Sequence, residues 1–243
     1  MTVYNSLVFG IGELSRVASY YLPPPPFYVV DKEFMPPAGA EECDFAGIPE
    51  FMGKPVIEFD KDKILDYRWK MVRDGGLSVS YLPFPKIFLG GIGYKKMNKV
   101  REDKFNRILE WGWSIEEYIS PAAIIHKDVI LGQGNYIQEL VTIQTGCQVG
   151  DNNTFWANGV HIGHGSTIGS NNWFASGCVV SGGVKVGNNC FFSVNTSIRD
   201  NIEIADETLV GMGAVITKST EKGDVFLAGV NNKSPKKSWE IDL

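Results

Sequence analysis

Neutral imidazole is the side chain best suited to taking a proton near pH 7, which makes the three histidines of this chain the first residues to weigh. Two of them, His161 and His164, stand close together among glycines, and the pair Gly182-Gly183 begins eighteen residues after His164. A histidine can free an amine or hydroxyl for nucleophilic attack, and backbone that bears no side chain lets a reacting group approach its N–H. Further upstream, Gly10-Ile-Gly12 follows an apolar run, with Ser15 where a dinucleotide fingerprint has its third glycine, and Asp31 closes the next apolar run. Four cysteines, Cys43, Cys147, Cys178 and Cys190, have neither the close pairing of a zinc site nor the density of a disulfide scaffold. They read as thiols in a reducing cytoplasm.

The elements that must position these residues announce themselves by period. Ile119, Ile125, Leu131, Ile137, Ile143, Val149 and Phe155 are apolar at six-residue intervals. After one seven-residue step the pattern resumes at Ile162 and runs through Ile168, Phe174, Val180, Val186, Phe192, Ile198, Ile204 and Val210 to Ile216. A hexapeptide period of this length predicts a parallel β-helix, with three short strands per coil of about 18 residues and coils stacked about 4.8 Å apart. Four positions after each apolar residue comes a second inward position, mostly small, including Asn135, Cys147, Asn153, Gly159, Asn172, Cys178 and Cys190. Asn135, Asn153 and Asn172 are expected to form a ladder whose amides pair up the column. Gly132, Gly150, Gly163, Gly169, Gly187 and Gly211 directly follow apolar positions, as expected where backbone turns sharply. The single seven-residue step reads as a bulge, and bulges re-aim side chains near functional sites. His161 and His164 flank the point where the register resumes, with His164 third in its hexad and pointing outward.

The first half has a different grammar. Ser6–Gly10 and Phe27–Asp31 read as strands around a helix-like stretch, a βαβ pattern, with Pro55–Phe59 and Lys86–Ile92 as further strands. Met97 to Trp111 reads as an amphipathic helix, and Ile115–Ile119 leads into the coils. The domains expected are 1–117, 118–228 and a lysine-bearing tail, 229–243. A net charge of −5 gives no basic footprint for nucleic acid. The N-terminus lacks a charged lead-in, and Pro23 to Pro26 break the nearby apolar stretch, so neither signal peptide nor membrane span is expected.

Phe9-Gly-Ile-Gly12, Gly93-Tyr-Lys-Lys-Met-Asn-Lys-Val-Arg101, Tyr118-Ile-Ser-Pro-Ala122, Gly159 to Gly169, Val180 to Gly187 and Thr196-Ser-Ile-Arg-Asp200 together carry a resemblance. Over nearly its whole length the chain resembles the sialic-acid O-acetyltransferases and nucleotide-amino-sugar N-acetyltransferases. The resemblance implies an α/β, Rossmann-like N-terminal domain joined to an all-β left-handed parallel β-helix. It further implies acetyl-CoA as cosubstrate, no metal, a nucleotide-linked sugar as acceptor, and a cytoplasmic homotrimer working in surface-polysaccharide biosynthesis.

Carried over residue by residue, the resemblance makes His164 the catalytic base, because Ile168-Gly169 follows it at the family's spacing. Gly182, beside Gly183, would offer its N–H to the oxyanion of the tetrahedral intermediate. Gly211, Gly213 and Ala214 match the region that contacts coenzyme A, with Lys233, Lys236 and Lys237 near its phosphates. Gly10, Gly12 and Asp31 would hold the nucleotide part of the acceptor. Two departures stand out: Gly165 replaces the acid that orients the base in many relatives, and Trp173 replaces a second histidine. Three roles are open to His161, namely orienting that ring, acting as the base itself, or packing.

Four functions compete. N-acetylation of an amino sugar leads, and O-acetylation of a sugar hydroxyl such as that of sialic acid is its nearest rival. A zinc hydratase on the same coil would need three converging histidines, yet His126 lies about two coils, roughly 10 Å, from His164. A non-enzymatic scaffold or nucleotide sensor would bind no coenzyme A.

Overall fold

A computed structural model describes residues 6–9, 14, 28–35, 50–51, 54–67, 86–156 and 159–229. From Tyr118 onward every hexad delivers one two-residue strand whose second residue is the apolar one, as in His161–Ile162 and Ser197–Ile198. The strands stack into three parallel sheets of seven, six and five, the three faces of a parallel β-helix. The first face runs from Tyr118–Ile119 to Val225–Phe226, the second from Ile124–Ile125 to Val215–Ile216, and the third from Ile130–Leu131 to Glu203–Ile204. Val225–Phe226 lies off the hexad register and is, among the described residues, the strand of the coil that the period misses.

The inward column is a packed apolar core. Phe155, Phe174 and Phe192 stack with centroids 5.0 and 4.7 Å apart and planes within 3° and 9° of parallel, matching the coil rise. Burial of such a side chain is worth about 1.5–3 kcal/mol, so the column repays the entropy of ordering many short strands. The asparagine ladder is present, but its amides do not pair with one another. Each Nδ2 donates to glycine carbonyls, Asn153 to Gly150 and Gly169 at 3.0 and 2.9 Å. Each Oδ1 accepts the next coil's N–H, from Asn135 to Asn153 to Asn172 to Cys190. A buried strand end leaves backbone groups that need partners, and the side-chain amides satisfy them instead of each other.

Three further expectations are corrected. After the seven-residue step the inward position belongs to fully buried Val160, while Gly159 is exposed with φ +83°. The extra residue falls in the turn between Thr154–Phe155 and His161–Ile162; strand pairing continues unbroken, Thr142 to His161 and His161 to Val179, so the step is not a bulge in the ladder. The glycines that directly follow apolar positions do not have left-handed backbone. At Gly163 a Cβ would stand 2.5 Å from the Ser181 carbonyl carbon, so close approach of successive coils, not dihedral freedom, requires glycine there.

Before the coil lies a six-stranded sheet with Ser6–Phe9 at its centre, paired in parallel with Tyr28–Val30 on one side and Lys86–Phe88 on the other. Lys54–Glu58 adds to the first side, and Ser114–Glu116 to the second, just before the coil begins at Tyr118. Glu50–Phe51 closes one edge in antiparallel pairing with Lys54–Glu58, and the parallel strands are buried on both faces. One is covered by the helix Lys99–Glu110 through Phe105 and Ile108. The other packs on the first face of the coil, with Phe88 edge-on to Tyr136 at 4.9 Å.

The strand expected over Lys86–Ile92 ends at Phe88, before the turn at Gly90-Gly91. The helix begins at Lys99 and not at Met97, because Lys96, Met97 and Asn98 have left-handed backbone (φ 52°, 51° and 62°). That conformation costs roughly 1–2 kcal/mol per residue. It aims buried Asn98 at the coil, where its Nδ2 donates to the Cys190 carbonyl at 3.0 Å.

Candidate active site

His164 stands at the turn between the second and third faces, exposed to solvent. Its backbone N–H donates to Gln144 Oε1 at 3.0 Å, and its carbonyl accepts from the Gly183 N–H at 2.9 Å, so the turn is fastened to the coils on either side. The imidazole reaches over Gly182, where a Cβ would stand 2.6 Å from Cε1, 2.9 Å from Nε2 and 3.1 Å from Nδ1. The predicted base and the predicted oxyanion donor are therefore in contact. Among the described residues neither imidazole nitrogen is hydrogen-bonded, and nothing accepts from the Gly182 N–H. The imidazole is exposed, where a ligand can meet it.

Gln144 had no sequence signal, since its bond depends on a side chain bridging two coils. One coil below His164, at the same turn position, Thr145 Oγ1 donates to Asp128 Oδ2 at 2.5 Å, joined by the Gly146 N–H at 3.0 Å. Chiefly through the Thr145 hydroxyl, the Asp128 carboxyl is held below its ordinary range. His161 is half-buried at the start of its strand. Trp173 is buried under the first half of the chain, stacked on Trp156 at 5.5 Å and edge-on to Tyr94 at 5.4 Å.

The described cysteines are inward-facing and free. Burial pushes the Cys178 and Cys190 thiols up to about 12, and raises Cys147 too, so none supplies a thiolate nucleophile near neutral pH. Among the described residues no group of three His, Cys, Asp or Glu side chains is placed to hold a metal ion.

Gly211, Gly213 and Ala214 lie at the other edge of the second face, at the turn between the first and second. Gly211 N–H donates to Phe226 at 2.7 Å, in the strand the period missed; Gly213 is exposed and Ala214 buried. They are not at His164 but across the face from its corner. Between the two corners the outward positions of the second face are Ile124, Thr142, His161, Val179, Ser197 and Val215, and Ile124 and Val215 at its two ends are exposed, with Met212 exposed beside Val215. Lys233, Lys236 and Lys237, like Gly10 and Gly12, lie outside the described residues.

Asp31 is described, at the carboxyl end of Tyr28–Val30, on a cavity of about 630 Å³ that is also lined by Phe59, Lys96, Lys99 and Arg107. Its partner is Lys104, whose Nζ is 2.6 Å from Asp31 Oδ1. The Lys104 side chain is 7% exposed, and its ammonium lies 5.1 Å over the Phe59 ring. Sequence reasoning missed Lys104, because the contact spans 73 residues from helix to strand end.

The fold is shared with several solved structures. A histidine-to-asparagine mutant of perosamine N-acetyltransferase from Caulobacter crescentus, crystallised with CoA and GDP-perosamine, is 21% identical, with a TM-score of 0.71 over 93% of this chain and 95% of that one. The acetyltransferase domain of PglB from Neisseria gonorrhoeae is 18% identical, with a TM-score of 0.66 over 92% and 97%. WeeI from Acinetobacter baumannii is 18% identical, with a TM-score of 0.64 over 90% and 94%. No protein-family model matches the chain, and no curated protein does. At these identities the likeness establishes the fold. Among the described residues no helix is long and apolar enough to cross a membrane.

Proposed function

We propose that the chain is an acetyl-CoA-dependent N-acetyltransferase that acts on a nucleotide-linked amino sugar in surface-polysaccharide biosynthesis. The observation that carries this reading is the contact of an exposed, unpartnered imidazole with Gly182. Fold neighbours support it: one was crystallised with CoA and GDP-perosamine, and the PglB domain with acetyl coenzyme A. In this reading the coil is left-handed and the first half is Rossmann-like, with domains 1–117, 118–228 and a tail, 229–243.

His164 takes a proton from the acceptor amine as its nitrogen attacks the thioester carbonyl. The Gly182 N–H donates to the carbonyl oxygen as that oxygen gains charge. When the tetrahedral intermediate collapses, the C–S bond breaks and the proton held by the imidazolium goes to the departing thiolate. His161, on the outer side of its strand, takes no proton in this reading. Gly183, Gly211, Gly213 and Ala214 lie along the coenzyme path, with Lys233 at its phosphates, and Gly10, Gly12 and Asp31 hold the nucleotide. The second face is covered by a second subunit in a homotrimer, and the cytoplasm supplies both substrates.

Purified protein incubated with acetyl-CoA and a panel of aminated and non-aminated nucleotide sugars, read by mass spectrometry, tests this. Acetyl addition confined to aminated acceptors is expected. Acetylation of non-aminated sugars alone would replace the reading by O-acetyl transfer, and no acetylation with no CoA binding would end it.

A further inference from the structure

The carboxylate that often follows such a histidine is absent here, since Gly165 occupies its place, so the ring needs another means of orientation. The register puts Lys127, Thr145, His164, Gly182, Asp200 and Lys218 at one turn position of six successive coils. Gly182, directly above His164, alone lacks a side chain in that column. Its backbone is not left-handed, so dihedral freedom does not demand glycine. The close approach of coils does not demand it either. At Gly163, Gly169 and Gly187 an added Cβ would meet main-chain atoms of the next coil, whereas at Gly182 its three nearest neighbours would be Cε1, Nε2 and Nδ1 of the imidazole.

We infer that the bare Cα of Gly182 is a seat that positions the His164 ring, a steric role distinct from that of its N–H. The inference rests on the reading of His164 as the base. With an open Cα above it, the imidazole settles with its nitrogen-bearing edge over the very backbone whose N–H faces the reacting carbonyl. Base and oxyanion donor are thus set against one atom pair, and no carboxylate is required. Any side chain at this position would fill the volume the ring occupies.

Gly182→Ala retains the N–H and adds only a methyl, which would displace the ring and can also hinder a reacting group at that N–H, and the His164→Ala background separates the two effects. The expected result is a kcat lowered about a hundredfold, the loss typical of a reacting group misplaced by about 1 Å, with KM for acetyl-CoA near that of the parent. In a His164→Ala background the same change should cause no further loss, since there is no ring to displace. In the unmutated full-length protein, carrying labelled histidine and glycine, a strong nuclear Overhauser effect is expected between His164 Hε1 and the Gly182 α-protons. If Gly182→Ala does not fold, that measurement decides alone. A missing effect, or full kcat in Gly182→Ala while His164→Ala is inactive, overturns the seat and leaves the base standing. Full activity in His164→Ala overturns both.

Discussion

Proton transfer by a placed imidazole is worth about 10² to 10⁴ in rate, and that range sets the expectation for His164→Ala in acetyl transfer. His161→Ala should leave turnover near the parent value, because the imidazole over Gly182 is that of His164. Steady-state rates on the best acceptor check both, and the reverse pattern would exchange the two roles. Asp128 offers a test that does not need the substrate. Its carboxyl is held low mainly by the Thr145 hydroxyl, so the folded chain binds that proton less readily than the unfolded one. The stability it contributes is therefore present above the ordinary carboxylate range and lost as pH falls through the folded value. Thr145→Val should move the Asp128 titration, followed by carbon-13 NMR, back toward the ordinary value and shrink that acid-side loss. An unmoved titration would mean that the hydroxyl is not the cause. His164 and Gly182 were legible as a pair because a period of eighteen projects directly into contact. Gln144 and Lys104 were not, since a bond across coils, or between helix and strand end, depends on side-chain reach that no period encodes.

At the scale of elements, the ladder predicts more than its composition does. Asn153→Ala removes two donated bonds, to Gly150 and Gly169, and the acceptor for the Asn172 N–H, all inside the coil. The Gly150 carbonyl keeps Asn135 Nδ2 as a donor, so the Gly169 carbonyl and the Asn172 N–H are the two groups left unpaired, at about 1–3 kcal/mol each, and a loss of at least about 2 kcal/mol is expected in urea unfolding. An effect under about 1 kcal/mol would mean that water replaces the amide. Strand positions were readable because each apolar residue repeats its neighbour's environment one coil away, which left the period little freedom to err. It erred where the chain departs from repetition. The extra residue was assigned to the ladder but sits in the turn that precedes His161. Val225–Phe226, sixteen residues beyond its partner Leu209–Val210, broke the count altogether. The helix start was hidden for a different reason: three successive left-handed residues run against local preference and are held by contacts to the coil that sequence spacing does not reveal.

The whole molecule raises the question of why the second face is left open. His164 stands at one of its edges and Gly211 to Ala214 at the other, so a coenzyme touching both must cross the stretch that bears Val179, Ser197 and Val215, with Met212 beside it. Exposed apolar side chains such as Val215 and Met212 are unfavourable in water, and a neighbouring copy would both cover them and give the crossing a second wall. A charge placed there should be tolerated by the single chain, whose Val215 side chain is largely solvated, yet be costly in the assembly, where it would be buried without a partner. Val215→Lys should therefore leave the fold intact by circular dichroism while shifting sedimentation from about three times 26.9 kDa toward a single chain. Acetyl transfer should fall with it, mainly through a raised KM for acetyl-CoA, because the imidazole and Gly182 belong to one chain and stay in contact. A parent protein that sediments as one chain and transfers acetyl at full rate would remove the need for a second wall, and the coenzyme path along this face with it.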